Sequence, residues 1–61
     1  MAMISSKELI ALEEQLGSEQ LLVKKFRSYA TQSEDPQIKA KCEQIASQHQ
    51  THYDRLINHL N

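Results

Sequence analysis

Apolar residues recur along the first half of the chain in steps of three and four: Leu9, Leu12, Leu16, Val23, Phe26 and Ala30. This spacing puts them on one helical face and writes a heptad seam, with Leu9, Leu16, Val23 and Ala30 at a and Leu12, Glu19 and Phe26 at d. Leu22 and Tyr29 widen the stripe on one side, as a bundle helix requires. Ser5 followed three residues later by Glu8 is a capping-box pattern and predicts the helix start. Gly17-Ser18-Glu19 admits two readings, a stop with a fresh N-cap or a weak spot in one helix. The seam crosses Gly17 without losing phase, which favours one long helix weakened by about 1 kcal/mol at the glycine.

Thr31 to Asp35 contains no apolar residue, and Asp35-Pro36 then gives a strong start signal, Asp as N-cap and Pro at the first helical position. Beyond it Ile38, Cys42, Ile45, His49, His52, Leu56 and His59 alternate in steps of four and three, with Ala46, Tyr53 and Leu60 beside them. The expected fold is all-α: an antiparallel two-helix hairpin, with helices over about 6–32 and 36–60 and a turn over about 33–35, forming a single domain over 1–61. A chain of 61 residues buries too little surface to be comfortable alone, and its one cysteine, Cys42, offers no disulfide framework. Dimerisation of two hairpins into a four-helix bundle, or a higher homo-oligomer, would supply the missing core.

Polar residues in core register are the hint of chemistry. Glu19 interrupts the first stripe, and His49 and His52, three apart on one face, interrupt the second. With the turn centred near Ser33 or Glu34, Glu19 falls opposite Gln48 or His49, so one carboxylate and two imidazoles should converge at mid-hairpin. Such a set suits Zn, Fe or Mn, and helix-bundle metal sites are built from facing helices in this way. A symmetric dimer would pool two Glu and four His. Equally, Glu and His can satisfy one another as a buried pair that fixes register, or sit half-solvated at the seam edge. His59, near the terminus, is expected to be exposed, Cys42 to be a small core filler, and Glu13, Glu14 and Glu43 to be solvated. Tyr29 and Tyr53 are expected to close the ends of the core with their hydroxyls outward.

Composition narrows the classes. The formal net charge is -1 with the signs mixed, and Lys24, Lys25 and Arg27 make one small basic cluster that reads as a solvated face. Only three aromatics occur and none interleaves with a basic patch, so no nucleic-acid partner is expected. Nor is a membrane span, since no stretch approaches the roughly 18 apolar residues that one needs. Met1 to Leu12 carries Lys7 and Glu8 where a signal peptide would be apolar, and a lone cysteine suits a reducing interior, so a cytoplasmic location is expected. There is no Ser/His/Asp or Cys/His arrangement and no glycine-rich phosphate loop, and the chain is not expected to be an enzyme.

The stretch Glu19-Gln20-Leu21-Leu22-Val23-Lys24-Lys25-Phe26, with Tyr29-Ala30, Asp35-Pro36-Gln37-Ile38-Lys39 and the run from His49 to Leu60, resembles the coat F family of spore-forming Firmicutes. Those are small helical proteins related to the ferritin-like superfamily, and the resemblance covers roughly residues 5 to 60. It implies a ferritin-like hairpin with a structural role in the spore coat, beside other spore coat proteins. Ferritin-like di-iron bundles pair a Glu on one helix with Glu-x-x-His on the next. Glu19 can match the first and His52 the histidine, but His49 stands where the bridging Glu should be, and Ala46 also departs from the pattern. That departure argues against ferroxidase or oxygen chemistry. Three readings follow: a self-associating structural module, a ferritin-like mini-bundle binding metal through Glu19, His49 and His52, and an adaptor lending its hairpin to a larger partner.

Overall fold

Two side chains set where the helices begin. In the computed structural model, which describes residues 4–60, Ser5 Oγ accepts the backbone N–H of Glu8 at 3.2 Å and its hydroxyl donates back to Glu8 Oε1 at 3.0 Å. The carboxylate thus meets the cap's own hydroxyl rather than a backbone N–H, a local variant of the reciprocal pair that the sequence suggests. From there α1 runs unbroken over Ser6–Gln32 and ends where the Ser33 N–H donates to the Tyr29 carbonyl. Asp35 Oδ1 accepts the N–H groups of Gln37 (2.8 Å) and Ile38 (3.3 Å), opening α2 over Pro36–Leu60. Pro36 has no N–H to lose at that first position, so the cap and the proline act together.

Gly17 does not divide α1. Its backbone stays helical, and no residue among those described has a positive φ. The cost of a glycine there is the entropy of fixing an unhindered backbone, and the hydrogen bonds of a 27-residue helix absorb it.

The helices fold back on each other into an antiparallel hairpin measuring 47 × 16 × 11 Å. On α1 the inward line is the expected one from Leu12 onward, with Glu19, Val23 and Ala30 buried and Leu12, Leu16 and Phe26 half-buried. Leu9, expected to open the seam, lies 43% exposed toward the open end of the hairpin. On α2 the line differs from the expected seam and needs correction. It consists of Cys42, Ala46, His49, Tyr53, Leu56 and Leu60, which is itself a four-three repeat. Cys42, His49 and Leu56 belong to both lines. Ala46, expected beside the seam, is its most buried member at 1% exposure, whereas Ile38 is 54% exposed and His52 and His59 are exposed. Side-chain size decides this: helices approach most closely over small residues, and Ala46 and Ala30 are the two most buried apolar positions. Ile38, Ile45 and His52 are left on the flank.

Each helix therefore carries two overlapping stripes. On α1 the second comprises Gln15, Glu19, Leu22, Phe26 and Tyr29; on α2 it comprises Ile38, Ile45, His49, His52 and Leu56. The two flanks lie on one side of the hairpin. Phe26 packs against both Tyr29 (edge-on, centroids 5.7 Å apart) and His49 (stacked, 6.4 Å), and His49 meets the His52 ring edge-on at 5.7 Å. The opposite side is polar near the midpoint: Gln20, Lys24, Arg27 and Gln50 border a shallow groove floored by Val23, and Gln20 Nε2 donates to the Tyr53 hydroxyl at 3.3 Å. Among the described residues no helix is long and apolar enough to cross a membrane.

Candidate metal centre at the hairpin midpoint

Glu19 stands at the centre of α1, and the antiparallel fold brings His49 and His52, near the centre of α2, to the same height. The i, i+3 spacing puts both imidazoles on one helical face, so a single carboxylate can reach the two rings. Glu19 is only 3% exposed. Its Oε1 lies 3.2 Å from His49 Nδ1 and its Oε2 lies 3.1 Å from His52 Nδ1. Gln15, one turn earlier, points its Nε2 at Oε1 from 3.5 Å, the outer edge of hydrogen-bond reach.

A carboxylate can only accept, so in this arrangement each imidazole donates from Nδ1 and directs Nε2 away. The arrangement meets the requirement that a buried charge be partnered, and among the described residues no buried side-chain N or O lacks a hydrogen bond. His49 is largely covered, with Phe26 stacked on its ring; the His52 side chain is 55% exposed. The cluster is thus closed on the α1 side and open on the flank that carries Leu22, Phe26, Ile45 and Leu56.

The same geometry can hold a cation. One ligand atom from each of Glu19, His49 and His52 lies within 4.8 Å of the others. Metal bonds of about 2.0–2.2 Å in a tetrahedron set neighbouring donor atoms about 3.3 Å apart. Measured from the one oxygen near both rings, Glu19 Oε2, the separations of 3.1 Å to His52 Nδ1 and 3.4 Å to His49 Nδ1 are near that edge length. They are longer than the 2.7–2.9 Å typical of a tight N⁺–H···O⁻ pair. One carboxylate and two imidazoles suit zinc, iron or manganese. They do not suit a carboxylate-bridged di-iron centre, because within one chain the group contains a single carboxylate.

Sequence reasoning named the three central residues and missed their support. Gln15 is one turn before Glu19 and Phe26 one heptad after it, so the helical period was signal enough for both. Cys42 is buried as a free thiol in the core, and His59, Glu13, Glu14 and Glu43 are exposed. Lys24, Lys25 and Arg27 are exposed as well, with Lys25 Nζ 6.0 Å from the Tyr29 ring centroid. Tyr53 directs its hydroxyl to the surface, while Tyr29 lies exposed along the flank instead of closing an end of the core.

Fold and site define a class: a minimal all-α hairpin with a Glu–His–His cluster built into its midpoint. The Bacillus subtilis (strain 168) protein YuzM, which is uncharacterised, is 30% identical over 59 residues, 97% of this chain and 73% of YuzM. The chain belongs to the same family as YuzM. No family model matches the chain, so the coat F likeness stands on the residue pattern alone. No solved structure matches it either.

Proposed function

We propose that the protein is a structural, non-enzymatic module that pairs with a second copy of itself, two hairpins closing into a ferritin-like four-helix bundle. The observation that carries this reading is the second stripe on each helix. A helix packing against one neighbour needs one seam, and a helix inside a bundle needs two. Leu22, Phe26 and Tyr29 face the same side as Ile38, Ile45 and Leu56, and among the described residues the hairpin leaves Tyr29 and Ile38 exposed and the other four only half-buried. Sedimentation equilibrium at micromolar concentration tests the pairing: a dimer or higher homo-oligomer is expected, and a well-folded monomer overturns the reading. A chain that stays monomeric and partly unfolded alone would favour the adaptor role.

From its likeness to coat F proteins we place this module in the spore coat, among other coat proteins, after synthesis in the cytoplasm. Mass spectrometry of the extracted coat layer of the source organism's spores tests that placement, and finding the chain only in the soluble fraction overturns it. A second reading, cation binding by Glu19, His49 and His52, is favoured by the convergence of their donor atoms. Metal analysis of protein purified without an affinity tag, followed by melting with and without chelator, decides between a bound ion and a register-setting ion pair.

A further inference from the structure

We propose that cation binding at Glu19, His49 and His52 and pairing of two hairpins are coupled, so that a zinc-class divalent cation ties the two copies together. This inference rests on both the pairing and the cation-binding readings above and adds a dependence of each on the other. Three observations carry it.

The donors are three, and a closed tetrahedral site needs four ligands. The open side of the cluster is the side of the exposed His52 ring, which is the flank a second copy would cover. Finally, the cluster sits at the midpoint of the hairpin, with Glu19 at the centre of Ser6–Gln32 and His49 one residue past the centre of Pro36–Leu60. Two identical hairpins whose twofold axis passes through the middle of the flank, the placement that buries its whole length, meet midpoint to midpoint. A cation held at the midpoint of one copy is therefore capped by the midpoint of the other, which excludes water from it and brings a second set of imidazoles into reach. An ion that binds the pair more tightly than the single hairpin must strengthen pairing by the same factor.

The test measures the dimer dissociation constant of tag-free protein by sedimentation equilibrium, with equimolar ZnCl₂, with EDTA and with MgCl₂, and measures zinc binding by calorimetry. Zinc is expected to tighten pairing by about tenfold or more, equivalent to about 1.4 kcal/mol. Magnesium, which prefers all-oxygen sites, is expected to do nothing. His52→Gln is expected to abolish the zinc effect, read as the ratio of the variant's own dissociation constants with zinc and with EDTA, so that any change in its zinc-free pairing cancels. Should that variant lose its helical circular dichroism, the zinc and magnesium series on the unaltered chain decides alone.

Zinc that binds with pairing unchanged would overturn the coupling while the cation site stood. Absence of zinc binding to a protein that nevertheless pairs would overturn the site. A monomer at high micromolar concentration, with and without zinc, would overturn the pairing on which both depend.

Discussion

The two broad faces of the hairpin come from the same two helices and have opposite chemistry. One is bordered by Gln20, Lys24, Arg27 and Gln50, and its polar groups find water or one another, as in the Gln20–Tyr53 contact. That face is finished. The other carries Leu22, Phe26, Tyr29, Ile38, Ile45 and Leu56 around an open imidazole, with Tyr29 and Ile38 exposed and the rest half-buried. Position on the helix decides the difference. Near the midpoint, residues one step to one side of the packing seam are polar (Gln20, Arg27 and Gln50), with Leu16 and Ile57 farther from the turn, whereas residues one step to the other side repeat the apolar spacing along the hairpin. A helix with a single seam stops at a partner, and a helix with two adjacent seams asks for another.

Charges introduced on each face should break this contrast most clearly. Leu22→Lys combined with Ile45→Lys would force two ammonium groups into the proposed interface, and burying an unpaired charge is worth several kcal/mol. The dimer dissociation constant should rise by about a hundredfold or more, read by sedimentation equilibrium. Lys24→Glu combined with Arg27→Glu on the polar face should leave it nearly unchanged. Equal losses from both pairs would erase the distinction between the faces.

The buried line between the helices offers a second comparison. Ala46→Leu adds three carbons where the helices come closest and should destabilise the hairpin by about 1–3 kcal/mol. Ala40→Leu, at an exposed position, should stay within about 0.5 kcal/mol. Urea unfolding of the two variants measures both, and similar midpoints would mean that the helices do not meet over Ala46.

Glu19 joins the buried line to the open face. Glu19→Gln keeps the shape but removes the charge, and serving both imidazoles would require one ring to change tautomer and accept from the new amide. A loss of about 1–2 kcal/mol is expected, in the range of a hydrogen bond to a charged group, together with any bound metal. Stability that rises after this change, in protein that never carried metal, would make the carboxylate a costly register device.

The smallest effect lies away from both faces. A Cβ at Gly17 would meet nothing within 4 Å, and its backbone is helical. Gly17→Ala should therefore stabilise the chain by about 0.5–1 kcal/mol in thermal or urea unfolding, with pairing untouched. A weakened dimer would place Gly17 at a contact with the second copy and redraw the interface.

How much of this was legible beforehand varies residue by residue. Asp35-Pro36 marks the second helix because a cap and a proline act within one turn, and local chemistry needs no partner to be read. The meeting of Glu19 with His49 was also legible, since an antiparallel turn maps each position on one helix to a height on the other. The lateral choice on α2 was not. Ile45 and Ala46 are neighbours in sequence, each continues a four-three repeat through Cys42 and His49, and hydrophobicity alone prefers the isoleucine.

The helices, their caps, the turn and the height at which the acid and the imidazoles meet were readable from the order of residues, because each follows from short-range backbone chemistry or from counting residues away from a turn. Tertiary structure alone decided which of two overlapping stripes faces inward, because that depends on how closely two helices can approach. The small side chain of Ala46 won the interior, and Ile45 and His52 were turned to the open face.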